Sequence, residues 1–171
     1  MGVIRYPKKV CLICAVCYQD ESLKAEALLH LQALYGPLRS ISEARPFGHT
    51  QYYRDEMGDD LKKCYVAFAQ WIDPAELPNI KCRTNELELQ WQQDGRRRIN
   101  LDPGYIEAAK LVLASTKNFS HRIYIGAGIY GDVQLVWRAG HFCVNPWTYP
   151  DYREPETVLF FEQVRNDYWK K

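Results

Sequence analysis

The pattern of apolar and polar positions predicts a strand followed by a helix at the start of the chain. Residues 10–18 are apolar on both alternating sets of positions, which is typical of a strand buried on both faces. The helix after it has Asp20 or Ser22 as its N-cap and Gly36-Pro37 as its stop signal. Its apolar stripe consists of Leu23, Ala27, Leu31 and Leu34.

The same kind of pattern predicts three more strands and a second helix. Strands are expected within residues 38–47, at 63–71 and at 97–101. Residues 73–76 read Asp-Pro-Ala-Glu, a capping box that predicts a short turn and then a helix ending at Gly95. The apolar positions of that helix are Ile80, Leu87 and Trp91. The resulting order is compatible with a ferredoxin-like βαββαβ core.

The C-terminal part of the chain predicts one more helix, a hairpin and a last helix. Asp102-Pro103 has the residue types of a helix start, and the apolar stretch through residues 110–116 would continue that helix. Apolar and polar residues alternate over 129–138, which predicts a strand that turns into another at 141–144. The final helix starts near Pro155, and its inward side chains are Leu159, Val164 and Tyr168.

Length and charge narrow the class of protein. A chain of 171 residues can bury its core as one domain, so we expect a single domain over residues 1–171. The fold class is α/β (α+β), with the ferredoxin-like core extended by a C-terminal hairpin or meander and a final helix. A formal net charge of +1 offers no global attraction for nucleic acid, and no apolar run spans a membrane. Without a signal-peptide cleavage site, a cytoplasmic location is expected.

Three N-terminal cysteines are spaced like the start of a metal site. In a strand, Cys14 faces away from Cys11 and Cys17. Cys11 also lies about 20 Å from Cys17 at roughly 3.3 Å per residue. These thiols could not share a metal, so we expect no iron–sulfur or zinc site and interpret them as small buried hydrophobes.

A glycine-rich segment matches the dinucleotide fingerprint G-x-G-x-x-G at residues 126–131. The Rossmann fingerprint requires a helix next, whereas here the residues alternate as a strand, so a hairpin is predicted. A three-residue loop at 126–128 would pair residue 125 with 129, Tyr124 with Tyr130 and Arg122 with Asp132. The sequence also lacks a P-loop, so neither motif identifies a cofactor, which stays unknown.

The densest basic run, residues 96–98, suggests an anion site. It leads into residues 100–105, where a strand end meets the predicted helix start. Ligands of open α/β folds bind outside strand ends, and helix N-termini offer free N–H groups to anions. The expected ligand-binding residues there are Arg98, Asn100, Asp102 and Tyr105. The alternative is a solvated charge run in which Asp102 is a plain N-cap.

Two further polar clusters supply candidates for chemistry. Lys117 suits a phosphate, and His121 could transfer protons near neutral pH; the alternative for Lys117 is a cation that complements a helix C-terminus. The segment from Tyr52 to Asp60 is acidic and could hold a cation, but such loops are more often solvated, and we expect no metal. If the protein is catalytic, His121 or Glu56 would carry the proton and Lys117 would stabilise charge.

Several strings of residues, spread over almost the whole chain, carry a family resemblance. They are Tyr52-Tyr53 with Glu56-Met57-Gly58, Ile72-Asp73-Pro74, Thr84-Asn85 with Leu87-Glu88, Asn100 to Tyr105, Lys110 to Lys117, His121 to Tyr124, Gly128-Ile129-Tyr130 and Pro146 to Arg153. Together they resemble the bacterial and archaeal domain-of-unknown-function family 4416. The resemblance implies no established activity, cofactor or catalytic residue. Some members carry a GTP-binding label, which without a P-loop implies only a hint of nucleotide or phosphate binding.

Two functions remain open. The first is a pocket near the Asn100–Tyr105 turn that binds a phosphate-bearing small molecule or nucleotide, with or without catalysis. The second is a non-catalytic interaction module that docks a protein partner through Trp147, Tyr149 and Tyr152. A concave pocket with converging charged groups would favour the first, and an apolar patch around the rings would favour the second.

Overall fold

The computed structural model describes residues 2–48 and 54–169. These residues contain one antiparallel sheet of nine strands and three long helices. The strands are β1 (Val10–Tyr18), β2 (Leu38–Ile41), β3 (Arg45–Pro46), β4 (Lys62–Ile72), β5 (Ile99–Ile106), β6 (Lys110–Ser115), β7 (Arg122–Gly126), β8 (Ile129–Arg138) and β9 (His141–Val144). The helices are α1 (Glu21–Tyr35), the single turn α2 (Arg54–Met57), α3 (Leu77–Gln90) and α4 (Pro155–Trp169). Short 3₁₀ turns occupy Pro74–Glu76 and Pro150–Arg153.

The strand order places β1 among the inner strands of the sheet. The order is β2-β4-β1-β5-β6-β8-β7, with β3 paired to β4 and β9 paired to β8. β1 pairs with β4 on one side and with β5 on the other along nearly its whole length. All of its residues are buried, which explains why its sequence is apolar on both sets of positions.

Helices cover both faces of the sheet and divide the core in two. One face is packed by α1 and α3, and its cluster includes Leu12, Cys14, Leu31, Val66 and Leu87. The opposite face is packed by α4 and the 3₁₀ turn before it. That cluster includes Ile13, Tyr65, Leu135, Tyr152 and Phe161.

The first half of the chain folds largely as its pattern predicts. The bounds of the first strand are confirmed, and Asp20 caps α1 by accepting from the N–H groups of Ser22 and Leu23. The capping box is confirmed as well, with a 3₁₀ turn between Asp73 and α3. These signals succeed because each acts within a few residues of sequence.

The cysteines of β1 point to alternating faces, as predicted. Cys11 packs on the α4 side, Cys14 on the α1 and α3 side, and Cys17 against Phe47 and Met57. Burial raises the pKa of Cys11 and of Cys17 to about 12, so both remain thiols.

The helix expected after Asp102-Pro103 is wrong, because this part of the chain forms β5 and β6. Asp-Pro imitates a helix start, but residues 111–114 are apolar on both alternating sets and all four are buried in the sheet. Pro103 is tolerated because β5 pairs with β6 only from Gly104 onwards, which leaves an edge that needs no N–H at residue 103. No helix N-terminus therefore offers free N–H groups to an anion at residues 102–105.

The hairpin prediction is confirmed, with one correction to its loop. Tyr124 lies opposite Tyr130, and Arg122 lies opposite Asp132. The two tyrosine rings meet edge to face at 5.5 Å. Residue 125 does not pair with 129, however, because Gly126 takes that position and the register shifts between Tyr124 and Gly126. The loop is therefore the two residues Ala127 and Gly128.

Two helix positions expected to face inward are instead exposed. Leu34 of α1 is 43% exposed, and Leu159 of α4 is 54% exposed. Val164 and Tyr168 are buried as predicted. Both errors lie on helices whose other apolar residues suffice to cover the sheet.

Candidate functional site

One cavity in the described part of the chain opens where β5 and β6 separate. The two strands pair only between Gly104–Ile106 and Leu111–Leu113. The part of β5 that precedes Gly104 has β1 on one side and a cavity of about 440 Å³ on the other. We call this cavity the β5/β6 cleft. Its lining residues are Phe47, Lys63, Lys81, Asn85, Glu88, Arg97, Asn100, Asp102, Leu113, Ala114, Ser115, Thr116, Lys117, Asp132, Tyr149, Pro150 and Asp151.

Gly104 lies at the point where the two strands meet. A Cβ there would collide with the carbonyl oxygen of Val112 and lie 2.8 Å from Leu113 Cδ2. The glycine therefore permits the close approach that joins β5 to β6 on one side of the cleft.

Side chains of α3 bind the edge of β5 that β6 leaves unpaired. The Leu101 N–H donates to Glu88 Oε1 at 2.6 Å, and Lys81 Nζ donates to the Leu101 carbonyl at 2.8 Å. This edge of β5 is thus satisfied without another strand, which lets the cleft exist beside it.

A buried ion pair forms one wall of the cleft. Lys63 Nζ lies 2.7 Å from Asp151 Oδ2, and the same oxygen accepts from the Tyr65 hydroxyl at 2.8 Å. The ammonium of Lys63 also lies 4.6 Å from the ring centroid of Phe47. Burial by itself would lower the pKa of Lys63, but the charges of Asp151 and Asp102 raise it above its ordinary value, so this lysine stays charged.

A second network joins β5 to the basic run. Asp102 accepts from Lys81 Nζ at 3.0 Å and from Asn100 Nδ2 at 2.6 Å, and Arg97 donates to Asn100 Oδ1 at 2.8 Å. Burial would raise the pKa of Asp102, but the charges of Lys81 and Lys63 bring it below its ordinary value. Asp102 is therefore a carboxylate at neutral pH.

Glu88 differs from the other acids of the cleft in its protonation. Burial raises the pKa of its carboxyl to about 7, although the charge of Lys81 and the hydrogen bond from Leu101 N–H oppose this. Its second oxygen, Oε2, lies 3.5 Å from Arg97. A buried carboxyl that titrates near neutrality can give or take a proton there.

Arg122 organises the far corner of the cleft. Its guanidinium donates to Asp132 Oδ2 at 2.7 Å, to Ser115 Oγ at 2.8 Å and to the Tyr149 hydroxyl at 2.5 Å. It also donates to the carbonyl of Lys117 at 2.9 Å. Arg122 thus positions four residues of the cleft lining.

The structure brings three of the predicted ligand-binding residues together. Asn100, Asp102 and Lys117 all line the β5/β6 cleft. Of the other two, Tyr105 lies outside it and packs instead near Leu77 and Val112 on the α3 side. Tyr105 takes this position because successive residues of a strand face opposite sides, which separates it from Asp102.

Arg98 and Glu56 lie in a second, more open cavity, which we call the outer cleft. Its volume is about 630 Å³, and its lining residues are Gln19, Asp20, Glu56, Met57, Gly58, Gln93, Asp94, Arg96, Arg97 and Arg98. Arg98 pairs with Asp20 at 2.8 Å, and Glu56 pairs with Arg97 at 3.0 Å. Of the acidic segment predicted as a possible cation site, Tyr52 and Tyr53 lie outside the described residues.

His121 lies behind the cleft lining rather than in it. Its Nε2 is 3.6 Å from Asp132 Oδ2, and its ring stacks on Trp147 at 5.2 Å. Within the described ranges, no group of three His, Cys, Asp or Glu side chains is placed to hold a metal ion. None of the described helices has the length and apolar character needed to cross a membrane.

Sequence reasoning missed the charged residues that reach the cleft from buried elements. Lys63, Lys81 and Glu88 are all less than 9% exposed. A signal for two of them exists, since Lys81, Thr84 and Glu88 recur at intervals of three and four residues and mark one polar stripe of α3. Lys63 carries no such mark because it occupies an ordinary position at the start of a strand.

The aromatic residues Trp147, Tyr149 and Tyr152 of the C-terminal segment mostly make contacts within the fold. Tyr152 is fully buried against Phe161, with ring centroids 5.5 Å apart. Trp147 and Tyr149 are each a little over a third exposed, and their polar atoms bind Val133 O and Arg122. Of these three rings Tyr149 lines the cleft, Tyr152 belongs to the core, and Trp147 and Tyr149 are only partly exposed, so they form no large outward apolar surface.

Comparison with known proteins yields one family. A family model described as a domain of unknown function (DUF4416) matches residues 8–168. No curated protein and no solved structure matches the chain at a significant level. The match spans β1 to α4 and therefore includes every residue of the β5/β6 cleft.

Proposed function

The chain belongs to the DUF4416 family, and because that family has no assigned function we propose from the site that the protein binds a phosphate-bearing small molecule or nucleotide in the β5/β6 cleft. The observation that carries this proposal is the convergence of charged side chains on one cavity. Four cations and four carboxylates line it, namely Lys63, Lys81, Arg97, Lys117, Glu88, Asp102, Asp132 and Asp151. A volume of about 440 Å³ is within the range of small-molecule sites.

The charges of the cleft support an anionic ligand. Glu88, with a pKa of about 7, is partly protonated at neutral pH, and Arg122 adds a positive charge directly behind Asp132. The positive charges of the site therefore exceed the negative ones at and below neutral pH. Such a surplus in a concave site raises the local concentration of anions.

Glu88 is the group we propose for any proton transfer to the ligand. It lines the cleft, whereas the two candidates chosen from sequence, His121 and Glu56, do not. The alternative function, a protein-docking aromatic surface, has less support because Tyr152 is buried and Trp147 is hydrogen-bonded.

Two further expectations accompany this proposal. The order β2-β4-β1-β5, with α1 and α3 as the intervening helices, supports a ferredoxin-like core to which β6–β9 add the other side of the cleft. All six cysteines are free thiols, which supports a reducing compartment such as the cytoplasm.

A thermal-shift and calorimetric screen tests the proposal. Inorganic phosphate, sugar phosphates and nucleoside phosphates are titrated, and a compound that binds the folded chain raises its melting temperature. Lys117→Gln should weaken the binding several-fold, because it removes a positive charge that is exposed at the cleft. Lys110→Gln is the matched control, since Lys110 lies at the other end of β6 outside the cleft. No response to any phosphate compound, or equal loss in both variants, would contradict the proposal.

A further inference from the structure

One carboxylate oxygen in the cleft has no hydrogen-bond partner. Asp132 is 1% exposed, and its Oδ2 is bound by Arg122. Its other oxygen, Oδ1, is buried and accepts from no donor in the described part of the chain. An unsatisfied buried acceptor is costly, and for a charged group the cost exceeds that of a neutral one. Since Asp132 lines the cleft, a ligand is the natural source of the missing donor.

Two hydroxyl groups beside Asp132 each have a hydrogen that a ligand could accept. Ser115 Oγ accepts from Arg122 and from the Lys117 N–H at 3.1 Å, and the Tyr149 hydroxyl accepts from Arg122. Each hydroxyl carries one hydrogen of its own. Neither donates that hydrogen to an acceptor among residues 2–48 and 54–169. Both residues line the cleft, so both hydrogens are available to a ligand.

These groups lie within the reach of one guanidinium and form one corner of the cleft. Asp132, Ser115 and Tyr149 all contact Arg122, and Lys117 follows Ser115 by two residues. The corner offers hydroxyl donors and two positive charges, from Arg122 and Lys117, against the single negative charge of Asp132. It therefore suits an anion that also presents a hydrogen-bond donor.

We infer that this corner holds a protonated phosphate group, with Asp132 Oδ1 accepting the phosphate O–H. The inference rests on the proposed phosphate ligand and adds how the site would select phosphate over sulfate. Inorganic phosphate keeps a proton near neutral pH and a phosphate monoester keeps one below about pH 6, whereas sulfate has none to offer. Sulfate has the same shape, but it would bring an unprotonated oxygen against a buried carboxylate and be rejected.

The wild-type protein tests this directly by calorimetric titration with inorganic phosphate and with sulfate, at equal ionic strength near neutral pH. Phosphate should bind tighter than sulfate by about one to two orders of magnitude in Kd, the worth of one hydrogen bond to a charged group. Equal binding of the two anions to the cleft would overturn the inference and leave the proposed function standing. Binding of neither anion would also overturn the inference, whereas the proposed function would then be decided by the sugar phosphates and nucleoside phosphates of the thermal-shift screen.

Two variants then locate the selectivity. Asp132→Asn replaces the carboxylate by an amide that can donate to sulfate, so the ratio of the two Kd values should fall towards one. Ser115→Ala removes a donor that serves both anions, so both should bind more weakly while their ratio stays high. Ser115→Ala also keeps the test valid if Asp132→Asn fails to fold without its Arg122 pair. A folded Asp132→Asn protein that keeps the wild-type ratio would show that another residue selects the anion.

Discussion

Lys63 illustrates at the scale of single residues how the cleft keeps its charges in an apolar setting. It combines an ion pair with Asp151 and the faces of aromatic rings such as Phe47. Buried ion pairs roughly break even in stability against apolar residues of similar size. The Lys63–Asp151 pair therefore adds little to the stability of the fold, and its position in the cleft wall agrees with the proposed polar ligand.

Glu88 should make the stability of the protein depend on pH. Its pKa is raised from 4.5 to about 7, so the native state favours the protonated form. The protonated Glu88 carboxyl therefore contributes to the free energy of unfolding. This contribution is fully present below about pH 4.5 and is lost as the pH rises through about 7. Glu88→Gln keeps an acceptor for the Leu101 N–H but cannot ionise. Its free energy of unfolding should gain roughly 2–3 kcal/mol relative to wild type between about pH 5 and about pH 8.

Urea denaturation at a series of pH values measures this difference. Glu86→Gln is the control, because Glu86 lies on the same helix with an exposed side chain paired to Arg83. The control should follow the wild-type curve across the series. Parallel curves for Glu88→Gln and wild type would show that Glu88 does not titrate in this range.

Gly104 controls, at the scale of elements, how β5 and β6 meet. Gly104→Ala places a methyl group against the Val112 carbonyl, which belongs to rigid backbone. We expect a loss of about 2–3 kcal/mol in the free energy of unfolding, in the upper range for overpacking. Gly131→Ala is the matched control, since the closest atom to its Cβ would be the Ile125 Cγ2 methyl at 3.3 Å and the nearest backbone atom, the Ile123 carbonyl oxygen, would lie 3.8 Å away. A smaller loss for Gly104→Ala than for this control would contradict the role given to Gly104.

Two similar turns close the ends of β8. Ala127-Gly128 and Ala139-Gly140 each have two positive φ values, the pattern of a type I′ turn. Alanine is strained there by roughly 1–2 kcal/mol, whereas Asn-Gly is the preferred pair. Ala127→Asn and Ala139→Asn should therefore each stabilise the protein by about 0.5–1 kcal/mol in thermal or urea unfolding. The effects should add, because β8 keeps the turns far apart.

Gly128→Ala measures the free-energy cost of a positive φ in the first of these turns. A Cβ at Gly128 meets nothing within 4 Å, so its cost comes from the positive φ of 76° alone. A loss of about 1 kcal/mol is expected. A destabilised Ala127→Asn protein would show that this turn is not limited by strain at its first residue.

The elements differ in how well sequence predicts them. α1 and the hairpin of β7 and β8 follow from signals that act over a few residues, such as the Asp20 cap and the Arg122–Asp132 pair. Residues 103–116 were mispredicted because Asp-Pro is a local helix signal that the sheet overrides. Only pairing with β1 and β8, distant in sequence, decides that these residues are strands.

At the scale of the whole molecule, the cleft also shows that contacts between distant parts of the chain are hard to predict from sequence. Of the residues proposed from sequence for one pocket, Asn100, Asp102 and Lys117 line the cleft, whereas Arg98, Tyr105 and His121 lie outside it. Lys63 and Asp151 were not predicted to lie together, because 88 residues separate them and only the folded sheet brings them into contact. A site formed where two strands separate depends on non-local packing, and a single sequence carries no direct record of it.

α4 connects the core of the molecule to the cleft. Its Phe161 is fully buried against Tyr152 and Tyr65, and Tyr152 belongs to the 3₁₀ turn that also carries Asp151 of the cleft wall. Loosening α4 should therefore loosen one wall of the cleft as well as the core.

Phe161→Ala and Leu159→Ala test this connection on one helix. Phe161→Ala should cost about 3–5 kcal/mol in the free energy of unfolding, since it leaves a cavity in the aromatic cluster. Leu159→Ala should change stability by no more than about 0.5 kcal/mol, because Leu159 is largely exposed. Amide hydrogen exchange at Asp151 and Tyr152 should rise in the first variant and stay unchanged in the second, because Phe161 packs against Tyr152 of this turn and Leu159 is largely exposed. Unchanged exchange in a destabilised Phe161→Ala protein would show that Lys63 and Tyr65 suffice to hold Asp151, and that the cleft wall is independent of α4.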